Sequence, residues 1–431
     1  MPQMKVLMTA DTVGGVWTYA LELINALRLW SCDVALATLG APLSPSQRRE
    51  AAQLANLTIY ESTYKLEWMA DPWTDVDASS NWLLAIAAQV KPDVVHLNTY
   101  AHGALPWTAP TLMVGHSCVL SWWQAVKGEP APPTWQTYQE RVQAGLRHAD
   151  IVVAPTHAML TALQTHYGPL RNSVAISNGR TPARFVPAEK EPFAFAIGRL
   201  WDEAKNIGAL EQVASDLPWP IYVAGEAQHP AGGQLQMQQL QPLGFLDAPT
   251  VAQWLGRAGI YALPARYEPF GLSALEAALS GCALVLGDIA SLREVWDDAA
   301  LFVPPDDADA LRTTLYELMQ NATLRTDLAT RRPTRCQVQT HDNGRRLPAT
   351  LPLAQRRCSP TVVGSTCSTG LVTSADRRRR LAFLLARSPN KKDLPYAHCS
   401  LLSFPRFRLE PRQRPLSARG GNRVDRTRSP G

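Results

Sequence analysis

Short apolar runs alternate along this chain with longer stretches in which apolar residues recur every three or four positions. The short runs are rich in Val, Ile and Leu, which is typical of buried parallel strands, whereas the longer spacing predicts amphipathic helices. In the first half of the chain, strands are predicted at residues 5–10, 34–39, 57–60, 94–97, 111–115, 151–154 and 174–176. Helices are predicted between them at residues 16–29, 44–55, 77–90, 133–147 and 156–167.

The alternation begins again in the second half of the chain. Strands are predicted at residues 193–197, 221–224, 243–245, 260–263, 283–286 and 300–303, and helices at 207–215, 250–257, 272–279, 306–320 and 323–330. Alternating strands and helices form parallel sheets that are covered on both faces. We therefore predict an α/β protein with two Rossmann-like, doubly wound domains that face each other across a cleft. Their predicted bounds are residues 1–180 and 193–330, joined by a linker at 181–192.

The character of the sequence changes near residue 331. Residues 331–431 carry 22 basic and 5 acidic side chains, a net charge of +17, whereas residues 1–330 carry 20 basic and 32 acidic side chains, a net charge of −12. We expect a disordered, solvated tail. Two other interpretations remain open: the run at 377–380 binds nucleic acid or anionic lipid, or a frameshift within codons 331–345 replaced the native C-terminus.

Composition narrows the class of protein. No run of 18 or more apolar residues occurs, so no transmembrane segment is expected. The N-terminus lacks a signal-peptide pattern, and the 7 cysteines are scattered without metal-type spacing. We expect a cytoplasmic protein with free thiols, for which peripheral membrane contact remains open and no nucleic-acid partner is expected.

The connection between the strand at 260–263 and the helix at 272–279 carries the strongest candidate chemistry. Glu268 lies on this connection, directly before Pro-Phe-Gly, and Glu276 follows eight residues later. A helix N-terminus attracts phosphate. Two carboxylates beside it suit the hydroxyl groups of a nucleotide-sugar, although a surface loop with two solvated glutamates is the alternative interpretation.

The pattern Glu, seven residues, Glu, with Pro-Phe-Gly between, resembles the donor-site signature of retaining glycosyltransferases with the GT-B fold, notably family 4. The resemblance extends over residues 4 to about 330. It implies that Glu268 contacts the donor sugar and Glu276 the nucleotide ribose. The positions that it assigns to donor binding are Gly14, Gly15, Arg199, Lys205, Phe245, Glu268, Pro269, Phe270, Gly271, Leu272 and Glu276.

Two cations follow the first predicted strand of the second half. Arg199 and Lys205 lie six residues apart on one loop, where an Arg fork and a Lys point charge can hold a diphosphate from two sides. Negative charge grows on the β-phosphate as the leaving group departs, so these cations would stabilise the transition state. Gly-Arg followed by Lys-Asn also resembles the second part of the family signature. The alternative interpretation is that Arg199 and Lys205 are ordinary solvated charges on the surface.

Several other residues are weaker candidates. His116 ends a strand, and the resemblance implies that it contacts the donor sugar or supports the reacting centre; a hydrogen-bonded loop histidine is the alternative. His96 and His102 are expected to be structural. At Asn178-Gly179 the chain resembles the family hinge, but Arg180 and Thr181 stand where the family has Val-Asp.

A divalent metal site of the Asp-x-Asp type has two candidate sequences. Asp75-Val76-Asp77 and Asp307-Ala308-Asp309 match its letters, but each lies at the approach to a helix, where an acidic side chain serves as an N-cap. With an Arg and Lys pair available, we expect no metal ion and no cofactor other than the nucleotide-sugar co-substrate.

The sequence therefore predicts a metal-independent retaining glycosyltransferase that moves a sugar from a nucleotide-sugar to the hydroxyl group of a carbohydrate or another acceptor. The predicted catalytic residues are Glu268, Arg199, Lys205 and His116. Two alternatives remain open. One is a GT-B phosphorylase or epimerase that uses the same cleft. The other is a non-catalytic nucleotide or anion binder whose basic tail contacts nucleic acid.

Overall fold

A computed structural model of the chain describes residues 3–228 and 237–331. The expectations of tail disorder, of tail contact with nucleic acid or lipid, and of a frameshift concern residues that lie outside this described part, apart from Arg331. Among the described residues, none of the helices combines the length and the apolar character that a membrane span requires.

Within residues 3–228, the first half forms a sheet of seven parallel strands in the order β3-β2-β1-β4-β5-β6-β7. Its strands are β1 (Met4–Asp11), β2 (Cys32–Leu39), β3 (Leu57–Glu61), β4 (Val94–Leu97), β5 (Thr111–Val114), β6 (Ile151–Ala154) and β7 (Ser173–Ala175). Its helices are α1 (Gly15–Leu27), α2 (Pro45–Ala51), α3 (Trp73–Val90), α4 (Val119–Lys127), α5 (Gln136–His148) and α6 (His157–Tyr167).

Across the described residues of the second half, six parallel strands form a sheet in the order β10-β9-β8-β11-β12-β13. They are β8 (Glu191–Ile197), β9 (Ile221–Ala224), β10 (Gln241–Pro242), β11 (Ala258–Leu263), β12 (Ala283–Gly287) and β13 (Leu301–Val303). The helices are α7 (Ile207–Ala214), α8 (Ala248–Arg257), α9 (Leu272–Leu279), α10 (Ala290–Trp296), α11 (Ala308–Gln320) and α12 (Ala322–Thr330). The predicted fold class of two Rossmann-like parallel-sheet domains is confirmed.

Strand β11 shows why the apolar runs predicted these sheets. Every residue of it is buried. Tyr261 and Leu263 pack with α9 on one face of the sheet, whereas Ile260 and Ala262 pack with α11 on the other. A strand that is covered by helices on both faces needs apolar residues at every position.

The order of the strands determines where loops gather. In the first sheet β1 lies between β2 and β4, and in the second sheet β8 lies between β9 and β11. After β1 the chain continues to one side of the sheet, toward β2, and after β4 it continues to the other side, toward β5. In the second sheet it does the same after β8, toward β9, and after β11, toward β12. A crevice opens at such a switch point, beyond the carboxyl ends of the strands. The loops after β1, β8 and β11 carry Gly14 and Gly15, Arg199 and Lys205, and residues 268–271.

Three local predictions are wrong. The strand predicted at 243–245 is absent, because Gly244 adopts a left-handed φ of 68° after the short strand β10, and Phe245 is 70% exposed. Asp75 and Asp77 lie inside the first turns of α3, which begins earlier than predicted, and not ahead of it. Helices α4 and α10 occur where the sequence predicts none.

Candidate active site

Glu268 lies on the loop between β11 and α9, as predicted. Its Oε1 accepts hydrogen bonds from the backbone N–H of Gly271 at 3.0 Å and of Phe270 at 3.4 Å. Gly271 has a φ of 88°, a left-handed conformation that glycine adopts without strain. The N–H groups of Phe270 and Gly271, which precede α9, are therefore occupied by the nearby carboxylate, whereas the helix itself begins at Leu272.

Lys205 completes the environment of this carboxylate. Its Nζ lies 2.6 Å from Oε2 of Glu268, and both side chains are largely buried. Burial favours the neutral acid, but Lys205 and the two backbone N–H groups outweigh it and hold the pKa of Glu268 below its ordinary value. Glu268 is therefore ionised at neutral pH and forms a buried ion pair with Lys205.

The backbone fixes the spacing of this pair. Lys205 ends a single 3₁₀ turn after β8. The carbonyl oxygen of Ala204 in that turn accepts a hydrogen bond from the N–H of Arg266 at 2.9 Å. The side chain of Asn206 donates to the carbonyl oxygens of Pro264 at 2.9 Å and Pro305 at 2.7 Å. The turn that carries Lys205 is thus joined to the loop that carries Glu268.

Arg199 lies on the same loop as Lys205. Its Nη2 is 2.7 Å from Oδ2 of Asp202, and its guanidinium lies over the ring of Trp201 at 5.4 Å. Burial works against ionisation of Asp202, but Arg199 and Lys205 together lower the pKa of this carboxyl. Both cations therefore lie close to one buried acid. The side chain of Arg199 is 41% exposed, so it remains accessible to a ligand.

The glycine pair of the first half faces this cluster from across the cleft. A Cβ atom at Gly14 would lie 3.9 Å from Nη1 of Arg199, and one at Gly15 would lie 3.6 Å from Cδ1 of Leu272. The φ of Gly14 is −169°, which any residue adopts. Because these glycines have no side chain, the two halves can approach each other closely here. No special backbone conformation is involved.

His116 follows β5 on the first half's side of the cleft. Its Nε2 is 2.8 Å from Oδ1 of Asn98, whose amide nitrogen donates to the carbonyl oxygen of Thr9. Nε2 of His116 therefore carries the proton, and Nδ1 is left as an acceptor. Burial, assisted by His96, lowers the pKa of His116 to about 3, so the ring is neutral at neutral pH. Two residues later, the N–H of Cys118 donates to the hydroxyl of Tyr267, next to Glu268.

His96 and His102, the two weaker histidine candidates, have structural surroundings. His96 lies in β4, with Nε2 3.4 Å from the hydroxyl of Tyr19. His102 lies between Ser79 and Thr99, at 2.9 Å and 2.8 Å from their hydroxyl oxygens. Burial lowers the pKa of each of these imidazoles to about 4. Both are therefore neutral and already hydrogen-bonded within the first half.

Glu276 lies one turn inside α9 and contacts the connection between the halves. Its Oε1 is 2.8 Å from Nε of Arg180, and Nη1 of Arg180 is 3.2 Å from Oε1 of Glu22 in α1. The side chains of Glu22, Arg180 and Glu276 are 6%, 5% and 12% exposed. Burial is the main cause that raises the pKa of Glu276. One arginine in the hinge thus bridges an acid from each half.

The remaining predicted donor residues have different surroundings. The carbonyl oxygen of Pro269 accepts a hydrogen bond from Thr156 of the first half at 3.0 Å. The ring of Phe270 is buried in the core, and Leu272 packs against the same core. Phe245 is exposed, beside the left-handed Gly244.

The two Asp-x-Asp sequences have other partners. Asp307 accepts a hydrogen bond from the N–H of Ala310 and caps α11, as predicted. Asp77 pairs with Arg141 on the neighbouring helix α5. Within residues 3–228 and 237–331, no cluster of three or more His, Cys, Asp or Glu side chains is arranged to hold a metal ion.

Three residues that were not predicted from the sequence contact the site from different elements: Glu22, Asp202 and Trp122. Glu22 also accepts hydrogen bonds from the N–H and hydroxyl of Thr181, at 3.0 Å and 2.8 Å. The indole Nε1 of Trp122 in α4 donates to Oδ1 of Asp202 at 3.1 Å. The substitution of Arg180 for the family's valine was the one available signal, since a hinge arginine needs a buried acid.

Two family descriptions match the chain. "Glycosyltransferase Family 4" matches residues 13–184, and "Glycosyl transferases group 1" matches residues 191–321. Among curated proteins, the chain is 27% identical over 172 residues to O-antigen chain mannosyltransferase B of Escherichia coli, covering 36% of this chain and 45% of that protein. It is 30% identical over 165 residues to glycogen synthase of Mycobacterium tuberculosis, covering 35% and 40%. The chain thus spans less than half the length of these curated relatives.

Solved structures match over a larger share. Sucrose-phosphate synthase from Thermosynechococcus elongatus superposes with a TM-score of 0.63 at 16% identity, covering 76% of this chain and 92% of that one. Anabaena HepE in complex with UDP-glucose gives 0.59 at 17% identity, covering 76% and 93%. At this identity the likeness concerns the fold. With the two sequence matches spanning both halves, the chain belongs to glycosyltransferase family 4, with the GT-B fold.

Proposed function

We propose that this chain transfers a sugar from a nucleotide-sugar donor to an acceptor hydroxyl, with retention of configuration and without a metal ion. The observation that carries the proposal is the ion pair of Lys205 and Glu268, 2.6 Å apart at the N-terminus of α9 and close to Arg199. This group lies where the second half meets Gly14 and Gly15 of the first. A sugar diphosphate offers both the anion and the hydroxyl groups that such a set of charges binds.

The two cations would act on the leaving group. As the glycosidic bond breaks, negative charge grows on the diphosphate, and cations fixed in a largely buried site stabilise it more strongly than they would in water. Arg199 offers a two-pronged donor and Lys205 a compact charge. They supply the positive charge that a divalent ion provides in other transferases, which supports a reaction that does not depend on metal.

The carboxylates would hold the donor. Glu268 is ionised, and a carboxylate accepts hydrogen bonds from sugar hydroxyls. Glu276 lies one turn further into α9, and in the family pattern the corresponding residue contacts the ribose. Nucleotide-sugar use is supported by the relatives, since Anabaena HepE was solved with UDP-glucose. Retention rests on the family resemblance.

His116 suits a positioning role better than that of a general base. A ring whose pKa is about 3 is a weak base at neutral pH. Its Nδ1 can nevertheless accept a hydrogen bond from a hydroxyl group and so orient that group. The departing diphosphate oxygen would then take the proton of the acceptor hydroxyl as the new bond forms on the face that the leaving group vacates.

A thermal-shift screen of nucleotide-sugars tests the proposal. One donor should stabilise the wild-type chain, and the shift should disappear in Arg199→Ala. Arg312→Ala is the matched control, because Arg312 of α11 is similarly exposed, at 44%, but pairs with Asp216 and Asp309, which are not predicted site residues. Transfer of the identified sugar should persist in the presence of EDTA, and NMR of the product should show the anomeric configuration of the donor. Equal shifts in all three proteins, or loss of transfer in EDTA, would contradict the proposal.

A further inference from the structure

Helix α4 of the first half contacts the loop of the second half that carries Arg199 and Lys205. The indole Nε1 of Trp122 donates a hydrogen bond to Oδ1 of Asp202 at 3.1 Å, across 80 residues of sequence. Five residues after Trp122, the same helix ends in Lys127, which pairs with Glu203 at 2.7 Å. The amine of Lys127 also lies 5.9 Å from the ring of Trp122. Helix α4 is therefore attached at two adjacent positions of the loop that carries Arg199.

Asp202 divides its two oxygens between different partners. Oδ1 accepts the indole N–H of Trp122 and the backbone N–H of Ala204, the latter at 3.0 Å. Oδ2 is 2.7 Å from Nη2 of Arg199. Asp202 is almost completely buried. Since both donors to Oδ1 come from fixed groups, they set the plane of the carboxylate and therefore the direction in which Oδ2 holds the guanidinium.

The orientation of the Arg199 side chain depends on this support. Its side chain is partly exposed, and a long, flexible arginine loses considerable rotamer freedom when it is held in one orientation. Stacking over Trp201 restrains the plane of the guanidinium, but the ion pair with Asp202 sets its position along the loop. A change in the orientation of Asp202 would therefore move the charge that faces the cleft.

We propose that Trp122 is a positioning residue that, through Asp202, aims Arg199 at the leaving diphosphate when the two halves are together. The proposal rests on the proposed function, in which Arg199 stabilises the departing group. Because Trp122 and Asp202 belong to different halves, the support forms only when the halves meet. Closure of the two halves therefore also brings Arg199 into position, so the glycosidic bond of the donor is cleaved only in the closed state.

The test is Trp122→Phe, which keeps an aromatic ring for packing and for Lys127 but removes the N–H donor. Trp123→Phe is the matched control, because it makes the same chemical change one residue further along α4. With the donor identified by thermal shift, Trp122→Phe should lower kcat by about tenfold or more, and its rise in KM for the donor should be smaller than that of Arg199→Ala. Trp123→Phe should stay within about twofold of wild type in both constants.

Coupling to Arg199 separates positioning from a general structural effect. In an Arg199→Ala background, adding Trp122→Phe should change kcat by less than about twofold, since the group that it aims is gone. An equal loss in both backgrounds, or a Trp122→Phe enzyme that behaves like Trp123→Phe, would overturn the inference and leave the proposed function standing. A wild-type chain that neither binds nor uses any nucleotide-sugar would overturn both.

Discussion

Replacing Arg180 by Met tests the buried bridge between the halves. The change removes the one guanidinium that lies between Glu22 and Glu276, at 3.2 Å and 2.8 Å, and leaves two buried carboxylates without it. Breaking a buried ion pair by removing one partner costs about 3–5 kcal/mol. For a cooperative unit of 150–250 residues, about 1 kcal/mol shifts Tm by roughly 2–4 °C. We therefore expect Tm to fall by about 10 °C at pH 8 when unfolding is followed by calorimetry.

The pH dependence of this loss has a definite sign. Burial already raises the pKa of Glu276 above its ordinary value of 4.5, and without Arg180 the pKa should rise further. A carboxyl with a raised folded-state pKa contributes stability below the unfolded pKa and loses it as pH rises through the folded value. The defect of Arg180→Met should therefore be largest at pH 8 and shrink as the pH falls toward 5.

Arg184→Met is the matched control for this change. Arg184 is 3.9 Å from Glu22 but is 45% exposed, so its pair should contribute less than about 1 kcal/mol. The double variant Arg180→Met with Glu276→Gln should regain part of the lost stability, because the second change removes one unpaired charge. A Tm for Arg180→Met within about 2 °C of that for Arg184→Met, or a defect that grows as the pH falls, would refute the reasoning.

Two further predictions concern the second half. Gly225→Ala should destabilise the protein by about 3 kcal/mol or more in urea unfolding, because φ is 133° and the new Cβ would lie 1.8 Å from the carbonyl oxygen of Gly198. Gly208→Ala, on the open face of α7, should instead be neutral or slightly stabilising, and a similar loss in both would contradict the steric argument. Lys205→Met should lower the free energy of unfolding most at pH 7. The pKa of Glu268 is depressed in the folded protein, so the stability that its ion pair contributes is present above pH 4.5 and is lost as the pH falls through the folded-state pKa. A deficit that is the same at pH 7 and pH 3.5 would show that Lys205 does not act through this carboxylate.

The fold was predictable because its signals are local. Strands that are buried on both faces, such as β11, require uninterrupted apolar runs, and such runs are visible in the sequence. Helix α4 was missed because its sequence, Val-Leu-Ser-Trp-Trp, has β-type composition, and its cap is the thiol of Cys118, which accepts from the N–H of Ser121 at 3.4 Å. Cysteine is not among the residues by which an N-cap is recognised.

The candidate site was predictable only in part, because only some of its contacts carry a local signal in the sequence. The meeting of Lys205 and Glu268 follows from two loops at one switch point, each with a short motif. The contact of Arg180 with Glu22 joins residues 158 apart, and that of Trp122 with Asp202 joins residues 80 apart. Nothing in the spacing of such residues indicates that they meet, since the packing of the two halves brings them together.

The hydrogen bond from Arg266 to Ala204 has a consequence for how such proteins diversify. It fastens the lysine-bearing turn to the glutamate-bearing loop inside a single half, so mutations accumulating in the other half leave their spacing undisturbed. A gene duplicate can therefore change its first half while it inherits the Lys205 and Glu268 pair intact. The hydrogen bond from Trp122 to Asp202, which joins the two halves, is the contact that each new lineage would have to re-establish.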